Sequence, residues 1–309
     1  MILTITLNPS VDISYKPNTF TLDSVTRVKD VSKTAGGKGL NVSRVLQQLG
    51  ESVAATGFLG GSLGKFISKE ITAQGIQDYF IGIDGETRNC IAIIHDGQQT
   101  ELLEAGPTIL EQEETRFLNT FSEYARQAEI VTISGSLPQG LAIEFYQKII
   151  EIATSYDSPV LLDTKGELLK STLKGKIKPY LIKPNQDELG DLFGRKLIDE
   201  SDVVKALKSE LFLDVPWIVV TLGADGAFVK HKNMLYRVYI PPIDAINPVG
   251  SGDSVIAGFA AGISRGYTDK NLIKFGLAMG VLNAIEEKTG YVDPENIEWC
   301  VGEMDIIEF

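Results

Sequence analysis

Three short stretches of this 309-residue chain bring together residue types that do chemistry in combination. "NPVGSGDSVIAGFAAG", Asn247 to Gly262, sets Gly250-Ser251-Gly252 directly before Asp253 and an apolar run of helical spacing. "TAGGKGLNVSRVL" puts Gly37, Lys38 and Asn41 in a glycine-rich entry to another helix. Asp12, just after the first apolar segment, and Arg88, ahead of an extended segment, are isolated charges of opposite sign. Gly250 and Gly252 let the backbone turn successive N–H groups into one concavity. The helix that follows, with Val255, Ile256, Phe259 and Ile263 on its apolar side, adds its positive end to the same spot. A phosphoryl group gaining charge during transfer is stabilised by such an arrangement. Two roles then compete for Asp253. It either starts a helix, where the dipole favours an acid by under about 1 kcal/mol, or accepts a hydroxyl proton and makes the oxygen nucleophilic. Lys38 and Asn41 offer donors to hydroxyls or phosphates, though the same loop also suits a flexible helix entry. Arg88 has the planar fork that grips a phosphate at two points, though a lone Arg also suits plain solvated surface.

The familiar nucleotide grips are absent. A P-loop requires G-x-x-x-x-G-K-[ST], but Gly64-Lys65 is followed by Phe66 and Leu59 stands where the earlier glycine belongs. Gly37-Lys38 is followed by Gly39, which also fails. The dinucleotide fingerprint G-x-G-x-x-G fits from Gly250 only as far as Val255. What remains at Gly250–Gly252 is a bare backbone anion hole.

These residues need elements to position them, and the hydrophobic pattern supplies candidates. "ILTITL" is a strand. Val42, Val45, Leu46 and Leu49 recur at i, i+3, i+4 and i+7 and stop at Gly50, which predicts a helix over 41–49. "VAATGFLG" is a strand, and Leu63, Phe66, Ile67 and Ile71 outline a helix ending at Gly75. The alternation continues through "EIVTIS", a helix near 142–155, "PVLLD", "YLIKPN" and "PWIVVTLG". Such repetition predicts an α/β fold, a parallel sheet with helices on both faces. Residues 11–34 and 87–104 break the rhythm with extended segments and polar turns, which fits either an edge meander or a small inserted β-sheet acting as a lid. "SGSLPQG", "KPNQDEL" and "TLGADGA" each follow a strand, on the rim where open parallel sheets collect ligands.

Bulk composition narrows the function classes. With 29 basic and 41 acidic residues the chain carries a net charge of −12, which repels nucleic acid at long range, so any phosphate must be held by a local site. Two cysteines, Cys90 and Cys300, and two histidines, His95 and His231, form no disulfide or metal-ligand pattern. Cysteine usage of this kind suits a reducing cytoplasm. The N-terminal "MILTITLNPSVD" lacks a basic region and is expected to be a strand rather than a signal peptide. No apolar run approaches the roughly 20 residues that span a bilayer, so no membrane partner is expected.

The ordered set "NPSVD", "AGGKGLNVSR", "SGSLPQG", "KPNQDEL", "TLGADGA" and "NPVGSGDSVIAGF" resembles the signatures of the ribokinase-like, B-type phosphofructokinase family of sugar kinases, over essentially the whole chain. The resemblance implies a single kinase domain over 1–309, a parallel-sheet core with a small β-sheet lid, and a homodimer formed through that lid. It implies transfer of the γ-phosphoryl group of ATP to a hydroxyl of a sugar phosphate, with Mg²⁺. Position by position, Asp253 becomes the general base and Gly250, Ser251 and Gly252 the anion hole. Asp12, Gly37, Lys38 and Asn41 hold the sugar with Ser136 nearby, and Arg88 binds the phosphate the acceptor already carries. Lys183 and Asn185 face the nucleotide phosphates, Glu188 organises Mg²⁺ through water, Thr221 and Gly223 lie along ATP, and Asn283 borders the adenine. Two departures stand out. Asn247-Pro248 replaces the Asp-Thr of many relatives, removing a charge near the nucleotide, and Thr164-Lys165 replaces a Ser-Ser pair. An unphosphorylated-sugar or nucleoside kinase of the same fold needs no Arg88. A regulator that only binds these ligands needs no Asp253.

Overall fold

Every residue of the first strand, β1 (Ile2–Thr6), is buried, the mark of a strand covered on both faces. The computed structural model, which describes residues 1–96 and 98–309, shows what covers it. The next strands in the chain are β2 (Ser10–Tyr15), β3 (Val31–Gly36), β4 (Val53–Gly60), β5 (Gln77–Asp78), β6 (Ile81–Ile83), β7 (Arg88–His95) and β8 (Gln98–Leu103). They are followed by β9 (Ile130–Ser134), β10 (Val160–Asp163), β11 (Leu181–Ile182), β12 (Trp217–Thr221), β13 (Ala227–His231), β14 (Met234–Tyr239) and β15 (Asp305–Glu308). The first five helices are α1 (Lys38–Gln48), α2 (Gly61–Ala73), α3 (Glu111–Ala125), α4 (Phe145–Thr154) and α5 (Gly166–Lys174). The remaining five are α6 (Gln186–Leu192), α7 (Glu200–Leu207), α8 (Ser251–Ser264), α9 (Asp269–Ala284) and α10 (Ile297–Gly302).

The large sheet runs β15-β14-β13-β12-β11-β10-β9-β1-β4-β5, with β6 also paired to β4. From β12 to β5 the neighbours are parallel, as the alternating pattern predicts. Beyond β12 the pairs turn antiparallel, a feature the pattern did not announce. Lys232 adopts φ 54 between β13 and β14, so the chain reverses in a tight turn with no room for a crossover helix. Side chains alternate between two cores with period two. Ile130, Leu161 and Leu181 join the side built with α1, α2, α8, α9 and α10. Val131, Leu162 and Ile182 join the side built with α3 to α7.

After β1 the chain builds outward to β4, then returns to place β9 on the other side of β1, creating a switch point at the carboxyl ends of those strands. Two helices aim their N-termini near it. α1 begins at Lys38, three residues earlier than its apolar spacing predicts, so the glycine-rich loop forms the helix's own first turn. α8 is buried along nearly its whole length, from Asp253 to Gly262, because α9 covers the side that the sheet does not. Its small residues allow close contact: a Cβ at Gly258 would lie 2.9 Å from Gly276 Cα of α9.

The segments 11–34 and 87–104 supply a separate four-stranded sheet, ordered β3-β2-β7-β8. β2 and β7 pair in parallel, and β3 and β8 flank them in antiparallel register. Residues 16–30 form no strand, and Leu22 and Val25 there are 82% and 83% exposed. One face of this sheet rests on the large core through Val11 and Ile13, while all of β8 is exposed.

Candidate active site

A cleft of about 2210 Å³ lies between the small sheet, the carboxyl ends of the large sheet and the N-termini of α1 and α8. It exceeds the roughly 1,000 Å³ of a large single-ligand pocket, leaving room for two molecules side by side. Seven basic and six acidic side chains line it, so the local charge is near balance although the whole chain is at −12. Asp12, Gly37, Lys38, Asn41, Arg88, Ser136, Lys183, Asn185, Glu188, Thr221, Gly223 and Gly250 to Asp253 all border this one cleft.

Asp253 is the third residue of α8 and only 5% exposed. Its Oδ2 accepts a hydrogen bond of 2.8 Å from Asn41 Nδ2 on α1. Burial pushes its carboxyl up to about 6, with the Asp163 charge adding to the rise, while Lys38, Asn41 and Lys183 pull the other way. The chain enters α8 through Gly250 in the left-handed region (φ 84), where any Cβ would stand 2.7 Å from Thr289 Cγ2. No side chain among the described residues caps this helix.

The amides here correct one expectation. Ser251 N–H donates to Pro248 O at 3.2 Å, closing the Pro-led turn, so it is already spent. The amides of Gly250, Gly252 and Asp253 have no hydrogen-bond partner among the described residues, and these form the available cradle. Lys183 sits directly over it: its Nζ lies 3.0 Å from where a Cβ on Gly252 would be.

Sequence reading passed over the acid that organises both lysines. Asp163, at the carboxyl end of β10, is buried, with Oδ2 3.3 Å from Lys38 Nζ and Oδ1 3.3 Å from Lys183 Nζ. Burial alone would raise its pKa, but Lys183 and Lys38 outweigh it and hold the carboxyl below the usual range. Lys38 is correspondingly raised, first by Asp163. The signal was an acid closing the apolar run "VLLD" on the ligand-bearing rim. Arg44 was also overlooked. It lies one helical turn beyond Asn41 and donates to Asn41 Oδ1 at 3.0 Å.

On the small-sheet side, Asp12 Oδ1 accepts from Ser10 Oγ at 2.6 Å, and burial raises its carboxyl pKa. Arg88 Nε and Nη2 donate to Asn8 O at 3.2 and 3.1 Å, and Nη1 donates to Glu104 O at 2.9 Å. Three of the five guanidinium N–H groups are thus engaged, leaving two for a ligand. On the opposite side, Asn185 and Glu188 cap α6 reciprocally. Glu188 N donates to Asn185 Oδ1 at 2.8 Å and Asn185 N to Glu188 Oε2 at 3.0 Å. Thr221 and Gly223 border the cleft nearby, beside an apolar wall that includes Leu222, Ile240, Pro242, Ile243 and Val281. No motif marked that wall, because scattered apolar residues carry no local signature.

Asn283 is the second correction. It is fully buried and does not border the cleft. Its Nδ2 donates to Val249 O at 2.9 Å and its Oδ1 accepts from Gly290 N at 2.8 Å. It braces the turn before α8 from behind instead of meeting an adenine.

The arrangement combines a buried carboxylate, a cradle of free amides, two lysines and room for two ligands, which suits moving a phosphoryl group onto a hydroxyl. The comparisons with known proteins agree. The pattern of the pfkB family of carbohydrate kinases matches residues 5–296. A tagatose-6-phosphate kinase of Staphylococcus epidermidis is 47% identical over 309 residues, covering 100% of both chains. The crystal structure of Escherichia coli phosphofructokinase-2 in complex with substrates and products superposes with a TM-score of 0.87 at 26% identity, over 97% of this chain and 98% of that one. The same enzyme in complex with potassium gives a TM-score of 0.89 at the same identity of 26% and the same coverage, 97% and 98%. The chain therefore belongs to the pfkB family of carbohydrate kinases, phosphotransferases whose acceptor is an alcohol group.

Proposed function

We propose that the protein transfers the γ-phosphoryl group of ATP to the 1-hydroxyl of D-tagatose 6-phosphate, giving D-tagatose 1,6-bisphosphate and ADP, as a cytoplasmic step of lactose and galactose breakdown. The observation that carries this reading is the pairing of Asp253 with a cationic acceptor side. The buried carboxylate stands at the amide cradle, and Arg88 keeps two free N–H groups in the same cleft. The full-length relative that acts on tagatose 6-phosphate supports this choice of acceptor.

The acceptor's 6-phosphate lies on Arg88, and Asp12, Gly37, Lys38 and Asn41 hold the sugar with Ser136 beside it. ATP lies along Thr221 and Gly223, its base against the wall of Leu222, Ile240 and Ile243, and its phosphates toward Lys183 and Asn185. Asp253 takes the proton of the 1-hydroxyl as that oxygen attacks the γ-phosphorus in line, and the bond to the β-phosphate oxygen breaks with its electrons leaving on ADP. The amides of Gly250, Gly252 and Asp253, with Lys183, stabilise the charge that builds on the transferring group. For Mg²⁺ the described residues offer no cluster of three or more ligating side chains, and Glu188 keeps Oε1 without a partner. This donor set fits an ion carried by nucleotide phosphates and water, with one carboxylate in support. When bound, Mg²⁺ neutralises phosphate charge. The small sheet acts as a lid that excludes water, and two copies pair through it, where its edge strand β8 is exposed along its whole length.

A coupled ADP-release assay across D-tagatose 6-phosphate, D-fructose 6-phosphate, D-fructose 1-phosphate and the free ketohexoses tests this. The expected order puts tagatose 6-phosphate first in kcat/KM. Preference for fructose 1-phosphate points to a 1-phosphofructokinase, and preference for a free sugar removes Arg88 from the phosphate-binding role.

A further inference from the structure

Asn41 is an amide with two chemically opposite ends, and rotating it by half a turn exchanges a donor for an acceptor at almost no change in shape. Next to a catalytic carboxylate the difference is large. An N–H toward Asp253 stabilises the ionised acid, whereas a carbonyl there would repel it. Something must fix the amide.

Arg44 meets this need. It follows Asn41 by three residues on α1, so both side chains share one face of the helix. Its Nη1 donates to Asn41 Oδ1 at 3.0 Å, while Asn41 Nδ2 donates to Asp253 Oδ2 at 2.8 Å. A guanidinium has donors only, so the Asn41 carbonyl end must face it. The guanidinium is itself held in place. Nη1 also donates to Thr289 O at 2.9 Å, in the loop that packs against Gly250, and Nη2 donates to Ala35 O at 2.6 Å, near the end of β3 in the small sheet. Among the described residues it forms no ion pair, so its charge is not absorbed by a bound carboxylate. The acids whose charges act on it are Asp12 and Asp253, both on the cleft, and Glu70 of α2.

We propose that Arg44 is the positioning residue of the base: by donating to Asn41 Oδ1 it fixes the Asn41 amide so that an N–H meets Asp253. Asp253 Oδ2 is then occupied, and Oδ1, which has no hydrogen-bond partner among the described residues, is the oxygen that receives the substrate proton. The other charges facing Asp253 are Lys38 on α1, Asp163 on β10 and Lys183 after β11. Arg44 adds to them a cation that no accessible pH discharges. The inference rests on reading Asp253 as the base, and its test is chosen to be separable from that reading.

The measurement is the titration of the Asp253 carboxyl in the free enzyme, followed by ¹³C NMR as the signal that disappears in Asp253→Asn. It needs no substrate. Alongside it, the acid limb of kcat/KM is recorded with ATP, Mg²⁺ and D-tagatose 6-phosphate. Arg44→Met is expected to raise the midpoint by about one pH unit, a roughly tenfold change in proton affinity. Arg44→Lys, which keeps the charge and a donor, recovers most of that shift. In an Asn41→Leu background, Arg44→Met is expected to add no more than about a third of its effect in the wild type, because the amide it orients is gone. A folded Arg44→Met enzyme whose Asp253 titrates at the wild-type midpoint overturns the proposal. So does full additivity with Asn41→Leu, which would mean that Arg44 acts through its field alone. If Arg44→Met does not fold, Arg44→Gln is read against the same outcomes. Undiminished turnover in Asp253→Asn would instead remove the base assignment and leave the titration result standing.

Discussion

Two helices begin on the same cleft in opposite ways. α6 starts under a complete cap, with Asn185 Oδ1 taking the Glu188 amide and Glu188 Oε2 taking the Asn185 amide. α8 starts through a left-handed glycine with no side-chain cap, and the amides of Gly250, Gly252 and Asp253 are left without partners among the described residues. A cap satisfies donors and stabilises a helix by about 1 kcal/mol. Omitting it leaves those donors for something that arrives later. The comparison teaches that stability and ligand binding draw on the same few N–H groups, and that this chain assigns them differently at its two helix ends. α6 uses its own side chains, so only groups beyond the cap remain for a ligand. α8 leaves its first turn open and relies on burial against α9 and on Asn283 behind the loop to hold its shape.

The largest expected effect comes from the acid at the open end. Asp253→Asn keeps the shape and the Asn41 contact region but cannot take a proton, so kcat should fall about a thousandfold with KM for both substrates little changed. In the wild type, kcat/KM should rise with pH through a midpoint near 6, since burial pushes the carboxyl up to about 6 and the ionised form is the base. Stability runs the other way. A carboxyl whose pKa is raised by folding contributes most when protonated, and that contribution is lost as pH rises through about 6. Asp253→Asn should therefore melt no lower than the wild type at pH 7. Normal turnover, or a clear drop in melting temperature at that pH, would make Asp253 a mere helix-start residue like those of α6.

Next comes the entry glycine. Gly250→Ala forces a side chain into a left-handed position with Thr289 Cγ2 2.7 Å from the new Cβ. The expected cost is about 1–3 kcal/mol in urea unfolding. Because the strain re-aims the free amides, kcat should also fall by about ten- to a hundredfold. A loss of stability with unchanged kcat would mean that the open end of α8 is not where the transferring group sits.

The contrast between these helix starts also marks how far the residues could be read unaided. Local features were legible: strand–helix alternation, the separate extended segments and the Gly-Ser-Gly-Asp run follow from spacing within ten or so residues. Asp253 was visible as a choice between two roles, and the structure makes them compatible, since the third residue of the helix is also the buried acid beside Asn41. What depended on tertiary approach was not legible. Asp163 acquires meaning only when Lys38 and Lys183, 125 residues or 20 residues away in the chain, converge on its two oxygens. Asn283 was expected at the ligand on the family resemblance, yet the packing of α9 turns it onto the backbone of Val249 and Gly290. The assignment of the Ser251 amide failed for a related reason, because a Pro-led turn takes a donor that composition counts as free.

The smallest effect sharpens the comparison from the capped side. Asn185→Ala removes the acceptor for the Glu188 amide, and unfolding stability should fall by about 1 kcal/mol. Asn185→Asp restores that acceptor and should return the stability, because Asp caps a helix as well as Asn does. The two amino acids differ in the other half of the side chain. Asn185 Nδ2 has no hydrogen-bond partner among the described residues, and it lies on the cleft near Lys183. If that N–H faces nucleotide phosphate, replacing it with a carboxylate oxygen substitutes repulsion for attraction, and KM for ATP should rise several-fold while stability holds. An Asp variant equal to the wild type in both stability and KM for ATP would confine Asn185 to capping. In that case α8 alone supplies the backbone donors, and Lys183 is the one group from the α6 side that reaches the transferring phosphate.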